Sequence, residues 1–180
     1  MTAVGAGDSA TGKVRETPSP RASRAIYTDE QRIRRDETVW TTVQAILAPV
    51  QFLVFVVSLA LVVIALATDT LHTAAAISVV VKTAILYTIM VTGAIWERVV
   101  FGQYLFAPAF FWEDVVSFAV IALHTAYLVV LFAGIGSPSA QLLVALAAYA
   151  AYVVNAAQFL VKMVLAKRDE RALAAAGAAA

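Results

Sequence analysis

Cysteine is absent from the chain, which excludes disulfides and thiolate chemistry. Charge is scarce as well: Asp, Glu, Lys and Arg make up 14% of the 180 residues, and between Thr38 and Thr68 there is none. With 62% hydrophobic residues and a mean hydropathy of +0.83, the composition lies outside the range of soluble domains. The apolar runs lack period-two alternation, which excludes an outer-membrane barrel. The first long run begins some 38 residues in, so a cleavable signal peptide is not expected. No internal repeat is present.

What the chain does have is four apolar runs, at about 40–66, 74–96, 113–133 and 140–165. About 20 apolar residues cross a bilayer core, so each is read as a transmembrane helix. The expectation is an all-α integral membrane protein, with four transmembrane helices in an antiparallel bundle. Seven Lys and Arg precede the first run, Lys167, Arg168 and Arg171 follow the last, and the turns near Asp69 and Ser137 hold none. The positive-inside rule then puts both termini on the cytoplasmic side of a bacterial inner membrane, cytoplasmic or intracytoplasmic, as a multi-pass protein. Behind a formal net charge of +1 stands a basic face suited to anionic headgroups of the lipid bilayer; no nucleic-acid partner is expected. Residues 1–25, rich in Ala, Gly, Ser, Thr and Pro, read as a disordered cytoplasmic tail. Residues 26–168 form the membrane domain, and 169–180 a low-complexity tail. Within YTDEQRIRRDETVW, Thr28 and Gln31 have capping-box spacing, which predicts a short helix along the membrane surface.

The segment from Trp96 to Asp114, WERVVFGQYLFAPAFFWED, organises the rest. It holds seven aromatic residues, is broken by Gly102 and Pro108, and is bracketed by Glu97, Glu113 and Asp114. It reads as an aromatic shelf at the membrane surface, with Tyr104, Phe111 and Trp112 as contacts for a flat, amphipathic ligand. The plainer reading makes the aromatics an interfacial belt and the acids helix caps.

Polar residues within the runs cost free energy in hydrocarbon, so each should face a partner or a cavity. Gln44, Gln51 and Ser58 recur every seven residues along one seam. Glu113 and His124 align to within about 20° on the third run, with Ser117 on the same side. Tyr152, Asn155, Phe159 and Lys162 share a face of the fourth. Lys82 is paired or neutral in the interior, or snorkels to the outer interface. As a neutral imidazole, His124 costs little if one nitrogen donates to Gln51 or Asn155.

YTDEQRIRRDETVW, ILAPVQFLVF, VVVKTAILYTIMVTGAIWE, VFGQYLFAPAFFWEDVVS, ALHTAYLV and AYVVNAAQF together resemble the 3-vinyl bacteriochlorophyllide hydratase family, named for the 2-vinyl position in older numbering. The resemblance covers about Ala25 to Lys167, with FGQYLFAPAFFWED its most specific part. It implies addition of water to the vinyl group of a chlorophyllide or bacteriochlorophyllide, giving a 1-hydroxyethyl group in bacteriochlorophyll synthesis. The substrate brings its own Mg, no cofactor is expected, and association with other pigment-synthesis enzymes is compatible with the role. No catalytic residues are carried over from the family.

Hydration of a vinyl group asks for a general acid at the terminal carbon and a base for the incoming water. Glu113 and Asp114 are favoured for these roles ahead of Glu97, with Trp112 and Phe111 burying one of the two, and with His124, Gln51 and Asn155 as supporting contacts. Glu113 and His124 lie about 16 Å apart along a helix. So either the pigment stands upright with its Mg on His124, or the acid comes from another element, or His124 binds no metal. The competing class is a non-enzymatic four-helix scaffold or assembly subunit that docks pigment or photosynthetic proteins; a transporter fits less well, for want of paired broken helices.

Overall fold

A computed structural model describes residues 26–178. The tail expected to be disordered, 1–25, lies outside them. Five helices follow in order: α1 (Asp29–Glu37), α2 (Val39–Thr68), α3 (His72–Phe101), α4 (Phe111–Phe132) and α5 (Pro138–Gly177). α2 to α5 are each long and apolar enough to cross a membrane, and no strand occurs among the described residues.

α1 starts at the Thr28 capping box, where Gln31 N donates to Thr28 Oγ1 (3.3 Å) and Thr28 N to Gln31 Oε1 (2.9 Å). Asp29 and Glu30 in its first turn and Arg34 and Arg35 in its last complement the helix dipole. Thr38 is extended (φ −78°, ψ 135°); it ends α1 and caps α2 through the Trp40 amide, so the chain turns into the first span there. Arg35 then clasps the far end of the chain, 2.6 Å from Glu170 and stacked 4.9 Å from the Tyr27 ring. Burial pushes the Tyr27 hydroxyl up to about 12, so a neutral phenol faces the guanidinium.

The helices outlast the apolar runs that reveal them. α3 continues beyond Trp96 to Phe101 and stops where Gly102 adopts φ 85°, a left-handed cap that glycine takes without steric cost. α5 runs on to Gly177; its 40 residues span about 60 Å, twice a bilayer's hydrocarbon thickness. Only Gly102 to Phe110 of the aromatic segment is non-helical.

α2 packs along α3 and α4 along α5. Ala65, Ala75, Ala145 and Ala148 are fully buried, as close approach of helices in a membrane requires. Phe55, Val62, Val79, Leu86, Val120 and Leu142 fill the remaining core. At one end, His72 Nε2 lies 3.2 Å from Ser139 Oγ and joins the α2–α3 and α4–α5 turns. The Arg35 clasp and the aromatic loop occupy the other end.

Candidate functional site

The loop after α3 folds back over the start of α4 and brings two acids together. Asp114 Oδ2 accepts from the Phe106 amide (2.6 Å), and Glu97 Oε2 from the next amide, Ala107 (3.3 Å). The carboxyls are within hydrogen-bonding reach of each other, and both residues are buried. Phe106 has φ 59°, a conformation costly for a residue with a Cβ. It is this turn that aims consecutive N–H groups at the two acids.

Neither Glu113 nor Asp114 caps α4. Its N-cap, Phe110, receives no side-chain hydrogen bond among the described residues, and the Asp114 carboxylate reaches back into the loop instead. Adjacent helix positions diverge by about 100°, and Glu113 points the other way. Its Oε1 lies 3.6 Å from Lys162 Nζ, which also donates to the Ala109 carbonyl. Asn155 Nδ2 donates to the Glu113 carbonyl (3.1 Å) and to Ser117 Oγ (2.9 Å), tying α5 to the first turns of α4. A groove of about 490 Å³ opens beside this pair, walled by Val153, Val154, Ala157 and Val161.

The aromatic residues divide into two groups. Trp96, Phe101, Phe110 and Tyr27 form an inner knot with ring centroids 5.7–6.4 Å apart. Tyr104, Phe111 and Trp112 instead point outward, at 61%, 43% and 68% exposure. The expectation that Trp112 and Phe111 bury a neighbouring acid is therefore corrected. On the first turn of α4 they occupy its outer side, and Phe110 and Ala107 lie buried with the acids.

His124 and Gln51 lie away from the acids, in the bundle core with Lys82. His124 Nδ1 donates to the Val120 carbonyl (2.8 Å), not to Gln51 or Asn155. Lys82 does not snorkel: it is fully buried, with Nζ 3.7 Å from the Tyr152 ring centre. Of the supporting contacts, only Asn155 touches the acid end. Among the described residues no three His, Asp or Glu side chains gather to hold a metal ion.

Missing from the expectations are the Phe106 and Ala107 amides, and Lys162 stands there on a face without a role at the site. Its shared face with Asn155 is the signal of that role; the amides leave no trace in side-chain pattern.

Four apolar helices, with two carboxyls buried at one end on consecutive loop amides, define an all-α protein of the multi-span membrane class. The profile of the 2-vinyl bacteriochlorophyllide hydratase family matches residues 27–165, and the chain belongs to that family. A 2-vinyl bacteriochlorophyllide hydratase of Cereibacter sphaeroides is 64% identical over 155 residues, covering 86% of this chain and 96% of the relative. One of Rhodobacter capsulatus is 65% identical over 147 residues, covering 82% and 85%. No solved structure matches the chain.

Proposed function

We propose that this protein hydrates the vinyl group of a bacteriochlorophyllide or chlorophyllide, with Glu97 and Asp114 as the acid–base pair. Membership of the family supports the reaction; the meeting of the two carboxyls on the Phe106 and Ala107 amides supports the residues. Two carboxyls so close share one proton, because both cannot be ionised side by side in a buried site. The protonated member delivers its proton to the terminal vinyl carbon, leaving a cation delocalised into the macrocycle. Water bonds to the inner carbon, and its released proton returns to the carboxylate. One water is added and the pair is restored. Glu113, offset by Lys162, stands beside the groove through which an apolar ring reaches the site from the lipid, and the outward Tyr104, Phe111 and Trp112 are contacts for that ring. The test is incubation of membranes containing the protein with a 3-vinyl chlorophyllide in labelled water, where the product should gain one labelled water. A strict need for oxygen or a reductant would overturn the reading.

The same proposal includes an antiparallel bundle in the bacterial inner membrane with the acid end cytoplasmic. The charge bias and the two sets of end contacts, His72 with Ser139 and Arg35 with Glu170, support it. Single cysteines at Asp69 and Ser137 should react with an impermeant periplasmic reagent and one at Gln103 should not. Labelling of Gln103 from outside would reverse the orientation.

A further inference from the structure

The middle of the bundle holds four polar atoms that the acid chemistry does not use and that have no hydrogen-bond partner among the described residues: Gln51 Oε1, Lys82 Nζ, His124 Nε2 and the Tyr127 hydroxyl. All four residues are buried, three of them completely. They belong to one connected cluster. Lys82 lies on the Tyr152 ring, Tyr152 and Tyr149 both pack on Phe55, one turn along α2 from Gln51, and the His124 ring is 5.8 Å from the Tyr149 ring, with Tyr127 one turn along α4 from His124. Leaving one such group unsatisfied in an apolar interior is costly, so four in one cluster call for a ligand.

Their chemistry selects which ligand. His124 Nδ1 faces a carbonyl and must donate to it, which leaves the Nε2 lone pair of the neutral ring as an acceptor. The Gln51 oxygen is a second acceptor. Lys82 and Tyr127 are donors. An anion would meet two lone pairs, and a metal cation would meet the lysine head; a species that both donates and accepts suits all four. We infer that Gln51, Lys82, His124 and Tyr127 bind a cluster of ordered water in the centre of the bundle.

In a reaction whose second reactant is water, performed among lipid-facing helices, such a cluster has a use beyond solvating its walls. From it a polar seam leads toward the acids. Asn155 is one turn along α5 from Tyr152, and Ser117, to which Asn155 donates, lies two turns along α4 from His124, beside the Glu113 carbonyl. The seam supplies water to the acid end through the bundle interior. This role as supply rests on the hydratase reading, whereas the water site itself does not.

Radiolytic hydroxyl-radical labelling of the full chain in lipid nanodiscs, without substrate, tests the site, since radicals formed from bound water modify the side chains touching it. Tyr127 and His124, both fully buried, should be modified several-fold faster than Leu142, which is equally buried, and than the lipid-facing Phe118. Tyr127→Phe, which removes one hydroxyl and keeps the ring, should lower labelling of His124; Lys82→Met should do so further. Protection of Tyr127 and His124 at doses that modify Trp112 would overturn the water site. If the site is labelled, Tyr127→Phe should also lower kcat several-fold with the KM for pigment unchanged, and an unaltered kcat would overturn the supply role. A parent protein without hydratase activity would instead defeat the functional reading and leave the labelling result standing.

Discussion

The two polar regions of this molecule are held in different ways. At the acid end, Glu97 and Asp114 accept hydrogen bonds from backbone amides of the Gly102–Phe110 loop. In the core, side chains bond to one another, as Ser58 does to Ser78 and Tyr149 at 2.6 Å each, donate to a carbonyl of their own helix, as His124 does to Val120, or face no partner among the described residues. The cause lies in the backbone. Within a membrane helix every N–H is committed to the carbonyl four residues back, so a buried carboxylate can find an amide donor only where the helix is broken. Gly102 makes the break and the left-handed turn at Phe106 aims the amides. A chain of continuous helices can hold polar side chains in its core, but it takes an interruption to hold an acid there on backbone amides.

The sharpest test of this contrast removes the acids one at a time. Glu97→Gln and Asp114→Asn keep size and most hydrogen bonding, so membrane levels should stay near those of the parent. Turnover should fall at least about a hundredfold, the order lost with a general acid or base. Glu113→Gln should lose far less, because Lys162 and the groove, not the shared pair, surround it. If Glu113→Gln alone abolished turnover while the other two spared it, the pair would be structural and the chemistry would belong to the groove.

A smaller effect is expected at the ion pair. Lys162→Met leaves the Glu113 carboxylate, 8% exposed, without its cation. The expected loss is about 1–2 kcal/mol, between the values for exposed and buried pairs, since the lysine is itself 28% exposed. Adding Glu113→Gln should recover most of that loss, because the stranded charge and not the missing contact is the costly part. Thermal unfolding in detergent of the two single variants and the double variant measures the coupling; additive losses would mean that the pair is not coupled.

The spans were readable because twenty-odd apolar residues admit few alternatives, and their ends were not, because α3 and α5 continue through Glu97 and Lys167 once started. The seven-residue recurrence of Gln44, Gln51 and Ser58 pointed at the bundle, where Gln51 and Ser58 are buried and Gln44 donates to Thr92. Helical periodicity also allowed Glu113 and Asp114 to face apart. It could not reveal that Asp114 meets Glu97, since that depends on the φ of Phe106, and nothing in the residue types of a loop sets the direction of its amides. The placing of Lys82 was open for a related reason: its long stem permits either depth, and only the Tyr152 ring on α5 decides between them.

The smallest expected effect lies in the core network. Tyr149→Phe deletes one of two hydrogen bonds to Ser58, and Ser58 keeps its bond to Ser78 at 2.6 Å, so no polar atom is stranded. Interhelical hydrogen bonds in membranes average about 0.6 kcal/mol, because the unfolded helices also find partners in the lipid-embedded state. Tyr149→Phe should therefore cost about that much. Ser58→Ala should cost more although it removes a smaller group, since it leaves the hydroxyl of a 1% exposed tyrosine without a partner in the protein. Unfolding in mixed micelles across a denaturing-detergent series would rank the two. A Tyr149→Phe loss larger than that of Ser58→Ala would mean that the tyrosine hydroxyl contributes more than this pairwise bond, and the contrast between an amide-held acid end and a core of weak, exchangeable side-chain contacts would have to be given up.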